Sequence, residues 1–171
     1  MKHARVSQTA PFGRKLILFI VVSLVWIAFD RVTKIWADGV ESGTVLVDDI
    51  AGLFNFVLVH NTGAAWGMFS NSTFALGIFS LVVCAIILIV LFTYLRKEGS
   101  MVQVFFLALV FAGGLVNAFD RITYSYVIDF INAKFISFPV FNVADIGVTC
   151  GIVLFLLATF VHDHRMQKRQ S

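Results

Sequence analysis

Two aspartates of this sequence stand among apolar residues, with no basic residue beside them. Asp129 lies in the run YVIDFI, and Asp145 lies in FNVADIG. Two carboxylates that come close together in an apolar setting cannot both ionise cheaply, so one of them keeps its proton. In such a pair the ionised member can take a proton from water while the protonated member polarises a carbonyl group. Asp129 and Asp145 therefore predict hydrolytic chemistry of the kind that aspartic proteases use.

Three asparagines accompany the acidic residues along the chain. Asn61 lies in HNTGAAWG, Asn117 in GGLVNAFDR and Asn142 in FNVAD. A neutral amide can orient a peptide or a carboxyl group without adding charge. Each asparagine alone is explained by a turn or a helix cap, but three of them on one face of the molecule favour a site.

Four charged residues form two pairs for which a structural role is the simpler explanation. Asp30 and Lys34 are spaced i, i+4 on a helix and can form an ion pair. Asp120 and Arg121 are adjacent and can cap and anchor a helix end. We favour ion pairing over direct chemistry for all four residues.

The sequence gives no pattern for metal, thiol or serine chemistry. Cys84 and Cys150 each lie inside an apolar run without a CxxC or Cys/His spacing, so we predict two buried structural thiols. His162 and His164 belong to a basic tail without the carboxylates or cysteines that would complete a metal site. We expect neither a metal nor another cofactor.

The composition is that of an integral membrane protein. The 171 residues are 59% hydrophobic and 13% charged, and the mean hydropathy is +0.91. Nine of the 13 basic residues lie in the two tails and in the short RKEGS loop. Basic residues beside apolar segments orient membrane helices, so we expect no nucleic-acid partner.

The apolar segments predict four membrane-spanning helices over about residues 16–37, 74–95, 101–120 and 141–161, since a bilayer needs roughly 20 residues. The first segment also resembles a cleaved signal peptide, but it continues into Asp30 and Arg31, so an uncleaved span is the better interpretation. Between the first two helices, β-branched and aromatic runs indicate strands over about residues 40–70. Asp129 is expected in the loop before the fourth helix. The predicted fold is an all-α membrane protein of one domain over 1–171: a four-transmembrane-helix bundle with a small extracytoplasmic β-sheet.

The basic tails and the RKEGS loop define the orientation in the membrane. Four spans place both termini and this loop on one side, which the positive-inside rule makes the cytoplasm. Eight of the ten acidic residues then gather at the extracytoplasmic face, if the outer ends of helices 1 and 4 are included. We therefore expect the site at the extracytoplasmic face of the membrane.

Five motifs, in the order DRVTK, HNTGAAWG, GGLVNAFDR, VIDF and FNVAD, resemble those of bacterial lipoprotein signal peptidase, the type II signal peptidase. The resemblance implies a membrane-embedded aspartic endopeptidase with four transmembrane helices and a sheet that cradles the substrate. It implies a catalytic dyad of Asp129 and Asp145. The supporting and substrate-binding positions that it implies are Asp30, Lys34, Asn61, Gly63, Asn117, Asp120, Arg121 and Asn142. One departure is Val116, where the family usually has a glycine.

The same resemblance implies the reaction and the partners. Members of this family remove signal peptides from prolipoproteins and cut just before a cysteine that carries diacylglycerol. The implied partners are these lipid-modified prolipoproteins, membrane lipid and the cyclic-peptide inhibitor globomycin. Because one chain carries the full set of motifs, we expect a monomer.

Two other classes of function account for part of the same pattern. Acidic residues inside membrane helices also mark proton or ion pathways in transporters. That alternative needs carboxylates near the membrane midplane, and here they gather at one face. A purely structural membrane subunit would leave Asp129 and Asp145 unexplained.

Overall fold

Four long helices make up most of the protein. The structure, a computed structural model, describes residues 10–63 and 72–170. The helices are α1 (Phe12–Ala37), α2 (Thr73–Val90, continued by a π-helical turn over Leu91–Leu95), α3 (Met101–Tyr124) and α4 (Val143–Gln170). All four are long and apolar enough to cross a membrane. The predicted four-helix membrane architecture is confirmed.

Helix α3 lies at the centre of the bundle. In its apolar window 61% of the residues are buried, against 17% to 22% in the other three helices. The outer helices instead expose large apolar side chains, such as Ile17 on α1 and Phe79 on α2. Apolar surface of this kind is stable against lipid and costly against water. The central helix is therefore the one that receives contacts from all the others, and it carries Asn117 and Asp120.

Glycines let α3 and α4 approach each other closely. A Cβ atom added at Gly113 of α3 would collide with the backbone oxygen of Ala144, in the first turn of α4. Further along α4, a Cβ atom added at Gly151 would lie 2.9 Å from the backbone oxygen of Phe106 in α3. Small residues at helix contacts are typical of membrane bundles. Val116 is buried in α3, and Gly113 provides the close approach to the turn that carries Asp145.

A three-stranded antiparallel sheet packs against the C-terminal end of α1 and the N-terminal end of α4. Its strands are β1 (Val45–Ile50), β2 (Phe54–Asn61) and β3 (Val127–Ala133), in the order β1-β2-β3. The first two confirm the sheet predicted between helices 1 and 2, although residues 64–71 of that interval lie outside the described residues. The third comes from the segment between α3 and α4.

The prediction that Asp129 lies in a loop is wrong, because its segment forms strand β3. Strand β2 pairs with it, and the register sets Val59 opposite Asp129 and Asn61 opposite Val127. Main-chain pairing with the free edge of β2 thus satisfies the backbone of an otherwise apolar run. This pairing brings Asn61, from the first half of the chain, beside Asp129.

The helix ends differ slightly from those predicted. The chain stays extended as far as Phe141, which forms a β-bridge with Ile131. Helix α4 therefore begins at Val143 rather than at 141, with Asp145 as its third residue. Helix α3 continues beyond 120 to Tyr124. These two shifts place Asp120 within α3 and Asp145 at the mouth of α4.

Candidate active site

Asp129 and Asp145 line the same cavity. Strand β3 supplies Asp129 and the first turn of α4 supplies Asp145, and the cavity between them has a volume of about 390 Å³. Much of its wall is apolar. The lining residues are Asn61, Arg121, Val127, Asp129, Phe138, Pro139, Val140, Phe141, Asp145, Ile146, Thr149 and Cys150. The structure thus brings together the two carboxyl groups that the sequence singled out.

The carboxyl group of Asp129 is almost completely buried and is held by two amides. Only 2% of the residue is exposed. Asn142 Nδ2 donates to Asp129 Oδ1 at 2.7 Å, and Asn61 Nδ2 donates to Asp129 Oδ2 at 2.8 Å. Burial first, and then the charge of Asp145, raise the pKa of Asp129 to about 7, while the two amide hydrogen bonds oppose this rise. The pair of Asp129 and Asp145 therefore retains a proton at a pH at which ordinary aspartates are ionised.

The carboxyl group of Asp145 also accepts two hydrogen bonds. Asn117 Nδ2 donates to its Oδ1 at 2.8 Å, and the backbone N–H of Asn142 donates to its Oδ2 at 3.1 Å. Because Asp145 lies in the first turn of α4, the positive end of the helix also favours its ionised form. Each of the four carboxyl oxygens in the pair therefore accepts one N–H group.

The three asparagines predicted to share a face do surround this pair. Asn142 contacts both acids, and its Nδ2 also lies 3.1 Å from Asn117 Oδ1. The side chain of Asn61 is oriented by Gly63, whose backbone N–H donates to Asn61 Oδ1 at 3.0 Å. With its oxygen engaged there, Asn61 turns its NH₂ group toward Asp129.

A buried ionic cluster lies behind Asn117. Lys34 Nζ is 2.9 Å from Asp30 Oδ2, which confirms the predicted i, i+4 pair. The same Nζ atom is 2.8 Å from Asp120 Oδ2, and Arg31 Nη1 is 2.9 Å from Asp120 Oδ1. Sequence reasoning missed Arg31 as a member of this cluster, although its position three residues before Lys34 was a usable signal.

The predicted pairing of Asp120 with Arg121 is wrong. Adjacent residues on a helix do not face each other, so Asp120 turns toward α1 while Arg121 turns toward the cavity. There the guanidinium group of Arg121 contacts two backbone oxygens, that of Asn117 at 3.5 Å and that of Gly63 at 3.4 Å. Arg121 thus provides positive charge at the cavity wall.

The two thiols differ from each other. Cys84 is buried, as predicted, and Cys150 is exposed and lines the cavity. The prediction of a buried Cys150 is wrong because position 150, five residues after Asp145, faces the cavity side of α4. Within residues 10–63 and 72–170, no group of three His, Cys, Asp or Glu side chains is placed to hold a metal ion.

Comparisons with known proteins identify related sequences and a related fold. The sequence profile of the family described as "Signal peptidase (SPase) II" matches residues 22–161. A lipoprotein signal peptidase of Clostridium acetobutylicum is 36% identical over 149 residues, which cover 85% of this chain and 96% of that protein. One of Staphylococcus carnosus is 32% identical and covers 92% of this chain and 98% of that protein. A solved structure described as a bacterial membrane enzyme aligns with a TM-score of 0.76 at 27% identity, over 83% of this chain and 87% of that one.

Proposed function

This chain belongs to the signal peptidase II family, a family of proteases with signal peptides as substrates, and from that premise we propose its reaction. The protein is an aspartic endopeptidase that releases the signal peptide of a diacylglyceryl-modified prolipoprotein. It cuts just before the lipidated cysteine, and Asp129 and Asp145 are its catalytic residues. Asp30, Lys34, Asn61, Gly63, Asn117, Asp120, Arg121 and Asn142 position them or the substrate.

One observation carries the proposal: the buried carboxyl group of Asp129 and the half-buried carboxyl group of Asp145, each held by two N–H donors, open onto one cavity with apolar walls. A pair that shares one proton has a base and an acid within one site. The donors fix the direction of each carboxyl group, so the pair is organised before a substrate arrives. A structural ion pair would instead set each acid against a cation.

The proposed reaction follows from a carboxyl pair that shares one proton. The ionised carboxyl group takes a proton from a water molecule, and the resulting hydroxide attacks the carbonyl carbon of the scissile peptide bond. The protonated carboxyl group donates to the carbonyl oxygen, so negative charge does not build up there. When the C–N bond breaks, the amine of the lipidated cysteine leaves with a proton from the pair, and a hydroxyl group of the tetrahedral intermediate gives a proton back to the pair as the new carboxyl group forms. The pair ends the cycle with one proton, as it began.

The position of the cavity suits a substrate that is itself embedded in lipid. Asp145 lies at the start of a membrane-spanning helix, and Asp129 lies on the sheet that packs against that end of the helix. A signal peptide is an apolar helix, and its end reaches the same level. The lipid chains of the cysteine stay in the bilayer while the peptide bond enters the cavity. Globomycin, as a cyclic peptide, is expected to occupy the same cavity.

The orientation of the protein follows from its basic segments. An even number of spans places both termini and the α2–α3 hairpin on one side. The hairpin carries Arg96 and Lys97, so this side is the cytoplasm of a bacterium. The sheet and the cavity then lie on the extracytoplasmic side, and one chain, as a monomer, holds the whole site.

Cleavage of a defined precursor tests the proposal. Purified protein in lipid is incubated with a prolipoprotein that carries diacylglycerol on its cysteine, and the products are identified by mass spectrometry. We expect a shortened protein that begins with the lipidated cysteine, and we expect globomycin to block its formation. The same precursor without lipid should remain intact. Failure to cut the lipidated precursor, or a cut elsewhere, would overturn the proposal.

A further inference from the structure

The side chain of Lys34 is completely buried, yet its role is not explained by the pair with Asp30 alone. Its Nζ atom also donates to Asn117 Oδ1 at 2.8 Å, on the neighbouring helix α3. Asn117 is in turn the residue whose Nδ2 donates to Asp145 at 2.8 Å. Lys34 therefore contacts the active-site acid through a single intervening side chain.

The chemistry of an amide gives this contact a direction. An ammonium group only donates hydrogen bonds, and an asparagine has an accepting oxygen at one end and a donating NH₂ group at the other. The donor Lys34 Nζ therefore fixes Oδ1 of Asn117 on the side of α1. Asn142 Nδ2 donates to the same oxygen at 3.1 Å and reinforces that choice. The NH₂ group of Asn117 is left facing Asp145.

The surrounding charges hold Lys34 in place and balance it. Asp30 and Asp120 supply two negative charges, and Lys34 and Arg31 supply two positive charges. A buried cation without such partners would be strongly destabilising. The cluster is neutral as a whole, and besides its charge Lys34 provides an oriented hydrogen-bond donor for Asp145, the amide of Asn117.

We propose that Lys34 is a positioning residue for peptide cleavage, acting by locking the amide of Asn117 so that its NH₂ group faces Asp145. The inference rests on the proposed function. In the opposite amide orientation Asn117 would turn its oxygen toward Asp145, and an ionised carboxylate would lose a donor and gain a repulsive contact. Neither Lys34 nor Asn117 lines the cavity, so the loss should fall on kcat and leave KM nearly unchanged.

A double-mutant cycle tests this proposal. Lys34→Met should lower kcat roughly tenfold to hundredfold, the usual cost of removing a partner that orients an active-site ligand. If Lys34 acts through Asn117, then adding Lys34→Met to Asn117→Ala should cost no further activity. Arg31→Met is the matched control, because Arg31 binds the same Asp120 without touching Asn117. In the double variant, the loss of kcat caused by Arg31→Met should multiply with the loss caused by Asn117→Ala.

The results separate the inference from the proposed function. Wild-type protein that does not cut the lipidated precursor defeats the function itself. Wild-type cleavage with multiplying losses for Lys34→Met and Asn117→Ala, or an effect confined to KM, defeats only the role of Lys34.

A second variant covers the case in which Lys34→Met does not fold. Asn117→Asp keeps an oxygen for Lys34 and Asn142, and it replaces the donor to Asp145 by a carboxylate oxygen that repels that acid. We expect a folded protein whose kcat is lower by roughly 10²-fold, the size of effect seen when one oriented donor is removed. A folded Asn117→Asp variant with normal kcat would overturn the proposal.

Discussion

Asn142 and Asp145 hold each other across the first turn of α4. The backbone N–H of Asp145 donates to Asn142 Oδ1 at 2.9 Å, and the backbone N–H of Asn142 donates to Asp145 Oδ2 at 3.1 Å. This is a capping box in which Asn and Asp take the places of the more common Ser or Thr and Glu or Gln. The remaining group of Asn142, its Nδ2, donates to Asp129. One residue thus starts the helix and joins the two acids, which explains how a carboxylate is accommodated at the mouth of an apolar span.

The two tasks of Asn142 can be separated by substitution. Asn142→Ser keeps an oxygen that caps α4 but removes the amide donor to Asp129, so it should retain most of the stability and lose most of the activity. Asn142→Ala loses both, and the missing cap should cost about 1 kcal/mol more in the free energy of unfolding. Thermal unfolding and cleavage rates of the two variants decide the matter. Full activity of Asn142→Ser would mean that Asn142 serves only as a helix cap.

The two acids should behave as one unit. Asn keeps the shape of Asp but neither accepts the proton of water nor returns it, so Asp129→Asn and Asp145→Asn should each lower kcat by at least ~10²–10⁴-fold. The double variant should be little worse than either single one, because groups that act together show non-additive losses. Cleavage rates of the lipidated precursor measure this.

Asp48→Asn is the matched control for the dyad variants. Asp48 is exposed on β1 of the same sheet and does not line the cavity, so its replacement should leave the rate unchanged. Near-normal turnover of either dyad variant, or losses that simply multiply, would contradict proton sharing.

The pKa of Asp129, about 7, predicts the pH dependence of cleavage. Because the active pair carries one proton, kcat/KM should fall as the pH rises through about 7 and that proton is lost. Asp145 raises the pKa of Asp129, whereas Lys34 and the hydrogen bond from Asn61 lower it. Asn61→Leu should therefore move the decline in kcat/KM to higher pH. Rates measured over roughly pH 5 to pH 9 test this, and an unmoved decline would show that Asp129 is not the titrating group.

Much of this architecture can be predicted from the sequence, because hydropathy alone identifies the membrane-spanning segments. The two acids that line the cavity can be selected from the sequence as well, since carboxylates without basic neighbours stand out in apolar runs. Strand β3 was missed for the same reason: Asp129 interrupts the apolar run, and only the edge of β2, more than 60 residues earlier, turns that run into a strand. Pairing between distant segments leaves no local signal.

The partners of the charged residues show the same limit. Asp30 and Lys34 are close in sequence, and their pair was predicted correctly. The sequence predicts a pair of Asp120 with its neighbour Arg121, but adjacent residues on a helix point in different directions. Asp120 instead forms ion pairs with Arg31 and Lys34 of α1. The face that Cys150 turns to the cavity likewise depends on how α4 is rotated, which its nearly uniform apolar sequence does not indicate.

The proposed orientation can be tested with introduced thiols. In a Cys84→Ala, Cys150→Ala background, which should still cut the precursor, Ser42→Cys should react with a membrane-impermeant reagent in intact cells. Lys97→Cys in the α2–α3 hairpin should react only after the membrane is opened. The physical reason is the cost of moving basic segments across the membrane. The reverse labelling pattern would place the cavity on the cytoplasmic side and contradict the proposed substrate access.

The contact between α3 and α4 predicts a difference between two adjacent glycines. Gly113→Ala places a Cβ atom against the backbone oxygen of Ala144, which cannot move without shifting the turn that carries Asp145. Overpacking of this kind costs typically about 1–3 kcal/mol, more than the gain of about 1 kcal/mol or less in helix propensity. Gly114→Ala meets only Cys84 Sγ, at 3.3 Å, a side-chain atom that needs to shift by only a few tenths of an ångström, so this variant should be close to neutral and remain active. The unfolding temperature and kcat should both fall for Gly113→Ala and not for Gly114→Ala. Equal values for the two variants would show that the placement of Asp145 does not depend on this close approach of the helices.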